Sequence, residues 1–178
     1  MRIIIVEGID RVGKTTLVNK IVRELGFIKY HHMELYDKIN SVDHEVTEIV
    51  ETEKILSTLS ALITLKGKDI NIIFDRFHIS EYVYGSIERG YKNESISKFD
   101  KMLAELGATL ILVKPTDIES SSKQHGKNLK EYSSLFNECV ENSLISDKIV
   151  CNYNNLNNVV LRLKEDMKHD LQNRIELL

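Results

Sequence analysis

Apolar positions follow two rhythms along this chain, and the two alternate. Residues 1–6, 70–74 and 109–113 are short, nearly unbroken apolar runs rich in β-branched side chains. That is the pattern of strands buried on both faces. Residues 27–32 and 148–153 read as two more strands. Between them, apolar residues recur every three or four positions, as helices require. Leu17, Ile21, Val22 and Leu25 do so over 14–25, and Val46, Ile49, Val50, Leu56, Leu59, Leu62 and Ile63 over 44–66. Shorter helical patterns cover 80–89, 95–106, 132–144 and 159–171.

Gly26, Gly67 and Gly107 stand between a helical pattern and the strand that follows it, where helices commonly end. Strands alternating with helices imply an α/β domain with a parallel sheet covered on both faces. In such sheets ligands bind beyond the carboxyl ends of the strands. Those ends carry 8–15, 31–34, Asp75-Arg76, and the polar stretch 116–130 after the sole proline, Pro115. Function is sought there.

Composition narrows the picture without changing it. The 178 residues are 42% hydrophobic, with a formal net charge of −3, which suits one domain over 1–178 and argues against disorder. Cys139 and Cys151 share no motif, so a disulfide scaffold is excluded and a reduced, cytoplasmic setting is expected. No apolar run reaches the ~20 residues of a membrane span. The mildly acidic total speaks against broad, charge-driven binding of nucleic acid.

Residues 8–15 read GIDRVGKT, the pattern G-x-x-x-x-G-K-[ST]. Gly8 and Gly13 permit a tight loop whose backbone N–H groups, through Val12, Gly13, Lys14, Thr15 and Thr16, turn towards phosphates at a helix N-terminus. Lys14 can reach the β- and γ-phosphates, and the Thr15 hydroxyl can ligate Mg²⁺. With average composition the pattern arises by chance at about one position in 30,000, and here it sits between a strand and a helix as the chemistry requires. A GTPase would also show Asp-x-x-Gly after the third strand and an Asn-Lys-x-Asp segment. Asp75 is followed instead by Arg-Phe-His, and Asn19-Lys20 lies inside the first helix.

EGIDRVGKTT (7–16) and FDRFHISEYVYG (74–85) together resemble the thymidylate kinase family of nucleoside and nucleotide kinases. The resemblance implies a three-layer P-loop kinase fold with a five-stranded parallel sheet of order 2-3-1-4-5. It implies transfer of a phosphoryl group from ATP, with Mg²⁺, to thymidylate or a related deoxynucleoside monophosphate. Asp10 would approach the sugar hydroxyl of the acceptor, and Arg11 would stabilise the transferring group. Asp75 and Arg76 would organise the metal shell and the acceptor or transferred phosphate. The stretch 116–130 takes the place of the family's lid, with Lys123, Lys127 and Lys130 but no arginine. Dimerisation through helices is also a family expectation. Lys14, Arg11 and Arg76 are the cations that phosphoryl transfer demands.

The acceptor side departs from the family. Residues 30–75 contain no arginine, the usual Phe-Pro after the second strand is replaced by His32-Met33-Glu34, and Lys54, Lys66 and Lys68 are the only basic candidates in or beside the second helix. Lysine cannot make the bidentate phosphate contact of arginine. A hydroxyl acceptor is the alternative, and it needs a carboxylate to orient or accept its proton. Glu34, Asp37 and Asp75 are the candidates. That acceptor would be a deoxynucleoside, or a hydroxymethylated pyrimidine in DNA, since 75–78 also resembles phage kinases of that kind. A non-catalytic nucleotide-binding protein is a third reading, disfavoured by the retained Arg11, Asp75 and Arg76. His78, Tyr82 and Tyr84 are candidates for the base pocket, with Tyr82 first among them at the acceptor. His31 and His32 are adjacent and point oppositely on a strand, a poor chelating pair.

Overall fold

In the computed structural model, residues 1–31, 44–118 and 128–176 are described. Glu34 and Asp37, the candidate acceptor bases, lie outside them, as do Lys123, Lys127 and most of the expected lid at 116–130.

Five parallel strands form the centre: β1 (Arg2–Glu7), β2 (Ile28–His31), β3 (Asn71–Asp75), β4 (Thr109–Lys114) and β5 (Asp147–Asn152). Their order is β2-β3-β1-β4-β5, as expected. Ile3, Ile4, Ile5 and Val6 of β1 are all at most 1% exposed, because β3 and β4 flank the strand and helices cover both faces. After β1 the chain crosses past β3 to β2, whereas after β3 it crosses back past β1 to β4, so the two connections run in opposite directions. The carboxyl end of β1 is therefore the switch point at which a crevice opens.

One face carries α1 (Lys14–Leu25) and α6 (Leu156–Glu176), which pack on each other and on the sheet. The other carries α2 (His44–Thr64), α3 (His78–Glu88), α4 (Ile96–Glu105) and α5 (Leu129–Asn142). Leu17, Val18 and Ile21 seal the first face, and Phe74, Phe77, Val83, Phe99, Leu103 and Phe136 fill the second. Among the described residues, no helix is long and apolar enough to cross a membrane.

The expected helix at 44–66 forms, but its apolar face differs. Ile55, Leu59 and Leu62 are buried together with Glu51, whereas Ile49, Val50 and Ile63 are exposed. Three helices start earlier than their local pattern suggests, among them α6, which begins at Leu156 and not at 159. α5 begins at Leu129, whose side chain enters the core, so Lys130 belongs to a helix and not to a loop. α3 begins at His78, for a reason supplied by a different strand.

That reason is Glu7, the last residue of β1 and fully buried. Its Oε1 accepts the backbone N–H groups of Phe77 at 3.0 Å and Ser80 at 3.2 Å, and its Oε2 accepts the Ser80 hydroxyl. A helix start leaves N–H groups without partners. Here a carboxylate from β1 satisfies them and adds charge where the helix dipole favours it. The Asp75–Phe77 turn is thereby fastened to the strand that leads into the phosphate loop.

Candidate active site

The loop between β1 and α1 occupies the crevice. Gly8 has φ +136°, and a Cβ there would stand 2.3 Å from the Val113 carbonyl oxygen, so the loop can cross β4 only with glycine at that place. Gly13 has φ +102° and precedes the first turn of α1. A Cβ on it would meet the Tyr153 ring at 2.8 Å. Among the described residues, the non-glycine residues with left-handed backbone are Arg11 at φ 59° and Arg76 at φ 71°. Such strain persists only where surrounding contacts enforce it, and it concentrates at working sites.

Lys14 is buried, and its ammonium donates to the carbonyl of Ile9, spanning the loop. Burial and the neighbouring Arg76 cation lower its pKa to about 7, although Asp10, Asp75 and Glu7 pull the other way. A lysine held this close to neutrality is primed for an anionic ligand that restores its charge.

Arg76 follows β3, and its own N–H bonds to Val6 O at 3.0 Å, joining the ends of β1 and β3. Its guanidinium donates to Gly8 O at 3.3 Å, to Ser80 Oγ at 3.4 Å and to Asp10 Oδ1. The group also lies 5.0 Å from the centre of the Tyr84 ring. Burial disfavours its charge, but Tyr84 and Asp10 more than offset that, and the pKa moves up. The Tyr84 hydroxyl is 3.3 Å from Asp10 Oδ2. Burial outweighs the attraction of Arg76 and pushes this phenol up to about 12, so it acts as a donor.

Asp75 is buried, and its Oδ2 lies 3.5 Å from Thr15 Oγ1 and 3.2 Å from Lys29 Nζ. A hydroxyl and a carboxylate converging at the start of α1 are hard oxygen donors of the kind Mg²⁺ takes alongside substrate phosphates and water. These residues fit the ion. Among the described residues there is no group of three or more His, Cys, Asp or Glu able to hold a metal by themselves.

The structure thus brings together Gly8, Asp10, Val12, Gly13, Lys14, Thr15, Asp75 and Arg76. Arg11 and Thr16 are exposed on the same loop and first turn. Tyr82 is not part of this group. It faces a cavity of about 200 Å³ whose lining includes Ile79, Ile96, Asp100 and Leu144. Two positions along a helix turn a side chain by about 200°, so Tyr84, not Tyr82, meets the phosphate loop. His78 also points away from the loop and is buried, with Nε2 3.1 Å from Asp100 Oδ1. Three further site residues, Glu7, Ser80 and Lys29, escape the sequence reading. Glu7 and Ser80 lie inside the two motifs, whereas Lys29 carries no local signal and becomes visible only through strand register.

The sheet order and the loop at its switch point define the P-loop kinase fold. Solved structures agree. YorR from Bacillus subtilis, in complex with phosphorylated GDP, is 17% identical over 96% of this chain and 98% of its own, with a TM-score of 0.64. Thymidylate kinase from Ehrlichia chaffeensis is 16% identical over 93% of this chain and 98% of its own, with a TM-score of 0.63. No protein-family model matches the sequence, and comparison with curated proteins finds no match.

Proposed function

We propose that this protein is a nucleotide kinase that transfers the terminal phosphoryl group of ATP to a deoxynucleotide-type acceptor, with thymidylate or a related deoxynucleoside monophosphate as first choice. One observation carries the reading. Lys14, Arg76, Asp75 and Thr15 converge from β1, β3 and α1 on a phosphate loop at the switch point of the sheet. A site that only binds nucleotide needs the loop, but it does not need a second buried cation fixed beside it. The two solved structures support the reading by fold, and one of them is a thymidylate kinase.

In this mechanism the backbone of residues 8–16 wraps the donor phosphates, and Lys14 spans the β- and γ-groups. Arg76 neutralises charge on the transferring phosphoryl group, and Arg11 approaches it from the exposed rim. Catalysis is then positioning plus electrostatic stabilisation. Thr15 and Asp75 would hold Mg²⁺, which neutralises donor phosphate charge. Asp10 faces the acceptor sugar, and residues 1–178 act as one kinase domain. A cytoplasmic setting and a homodimer complete the reading.

A hydroxyl acceptor is the second reading, favoured by the lack of any arginine over 30–75. The proton of such an acceptor would go to Glu34, Asp37 or Asp75; the acceptor would be a deoxynucleoside or a hydroxymethylated pyrimidine in phage DNA. One assay with radiolabelled ATP separates the readings, offering deoxynucleoside monophosphates, deoxynucleosides, and DNA with and without hydroxymethylated pyrimidines. Label on a monophosphate supports the first reading and label on a hydroxyl the second. No transfer to any of them, or full activity in Lys14→Ala, refutes the kinase.

A further inference from the structure

The ion pair between Lys29 and Asp75 gives the metal side of this site a feature that the phosphate-loop pattern does not contain. In the register of β2 and β3, Lys29 stands beside Ile73, and His31 beside Asp75. The Lys29 side chain therefore runs up the sheet towards its carboxyl end and brings Nζ to 3.2 Å from Asp75 Oδ2. That is the same oxygen that faces the Thr15 hydroxyl at 3.5 Å. The two partners differ sharply in exposure, 32% for the Lys29 side chain and 4% for that of Asp75. A carboxylate this dry needs a counter-charge. An ammonium on a flexible stem at the rim can supply one and then withdraw into water at small cost.

We infer that Lys29 is a positioning residue for the metal site, an exchangeable counter-ion on Asp75. With no divalent cation bound, its ammonium neutralises Oδ2 and holds the carboxylate towards Thr15. When the cation arrives, the two positive charges compete for one oxygen, and Lys29 gives way. The site is thereby kept formed but set to a weaker metal affinity than Asp75 and Thr15 alone would have. The inference rests on the kinase reading, which assigns Asp75 and Thr15 to Mg²⁺.

The test is calorimetric titration with the non-hydrolysable ATP analogue AMP-PNP, in excess Mg²⁺ and again in EDTA. The quantity of interest is the ratio of the two dissociation constants. Lys29→Met should raise the Mg²⁺ advantage roughly threefold to fivefold, the upper part of the range of a partly exposed ion pair. Lys29→Arg retains a cation and should stay within about twofold of the wild type. Lys29→Gln is the second uncharged variant, and far-UV circular dichroism with thermal melting shows which variants are folded.

An unchanged or smaller ratio in folded Lys29→Met or Lys29→Gln overturns the inference. Asp75→Asn separates this from failure of the underlying reading, since its ratio should collapse towards one. If Asp75→Asn behaves as wild type, or the wild type binds AMP-PNP in neither condition, the metal assignment falls and the role of Lys29 with it. If Asp75→Asn collapses the ratio and Lys29→Met leaves it alone, only the role of Lys29 is lost.

Discussion

Asp10 and Arg76 form an ion pair across the phosphate loop, with Arg76 Nη2 donating to Asp10 Oδ1 while Tyr84 reaches the other carboxylate oxygen at 3.3 Å. The other end of the guanidinium is shared by Gly8 O and Ser80 Oγ. The cation thus has a fixed orientation although its backbone is in a left-handed conformation. Preorganised charge of this kind lowers a barrier because it need not reorient as the reaction proceeds.

Arg76→Lys should therefore behave as a loss and not as a conservative change. An ammonium cannot reach Asp10, Gly8 O and Ser80 in a fork while lying against Tyr84. We expect kcat to fall by about a hundredfold or more, the scale seen when one oriented donor to a transition state is removed. Steady-state kinetics with the acceptor identified by the label assay checks this. A kcat within about threefold of wild type would reduce Arg76 to a structural ion pair.

Glu7 gives a prediction on stability. Its carboxylate closes the N-terminus of α3 through Phe77 and Ser80. Glu7→Ala would leave two buried N–H groups without partners and the Ser80 hydroxyl proton without its acceptor, at about 2–4 kcal/mol. For a chain of this size that lowers Tm by roughly 5–15 °C. Glu7→Gln keeps one acceptor oxygen for the N–H groups and can donate to the Ser80 hydroxyl, so it should lose less than half as much. Thermal and urea unfolding of the two variants measure the difference.

Much of this frame can be read from the sequence because its causes are local. β1, β3 and β4 declare themselves as apolar runs, and the loop at 8–15 as a spacing of glycines and a lysine. What cannot be read depends on partners far along the chain. The start of α3 is set by a carboxylate 70 positions away from Phe77. The apolar face of α2 departs from expectation because Ile55, not Ile49 or Ile63, faces the core, and helical spacing alone does not choose among neighbouring stripes. Tyr82 and Tyr84 look equivalent in the motif, yet only one side of α3 faces Asp10.

Gly13 and Tyr153 offer a test of that kind of long-range constraint. Gly13→Ala meets the Tyr153 ring at 2.8 Å and must also accept φ +102°. The ring is 60% exposed and can be removed without opening the core. Adding Tyr153→Ala should relieve the clash but not the backbone strain of about 1–2 kcal/mol. Gly8→Ala meets the carbonyl oxygen of Val113, which no side-chain change can remove. A double-mutant cycle of unfolding free energies should show positive coupling for Gly13 with Tyr153. Strict additivity would mean that the ring already moves aside.

Arg11 stands at the exposed rim of the loop with a left-handed backbone. Its proposed contact is with the transferring group and not with bound ATP, so removing it should cost transition-state binding more than ground-state binding. Arg11→Ala is expected to lower kcat by more than it raises the KM for ATP. An unchanged kcat would leave Arg11 as a solvated surface charge. Arg11→Gly serves as the companion variant, since it removes the backbone strain together with the side chain. If both variants lose kcat equally, the effect belongs to the guanidinium and not to the loop conformation.

The titration of Lys14 links the site to pH. Burial and Arg76 hold its pKa at about 7 in the free protein. Phosphate groups beside the ammonium favour the charged form and raise that value on binding. Below pH 7 the lysine is already protonated, so binding takes up almost no proton from it. Near pH 8 it is mostly neutral, and binding must draw roughly one proton from solution. Apparent affinity should thus be flat below pH 7 and fall by up to about tenfold per pH unit above it, until the pKa of the complex is reached. Calorimetry with AMP-PNP in two buffers of different ionisation enthalpy reads the proton directly. Lys14→Met should abolish the uptake at pH 8, whereas wild-type enthalpies that do not depend on buffer at that pH would show that Lys14 is charged before the nucleotide arrives.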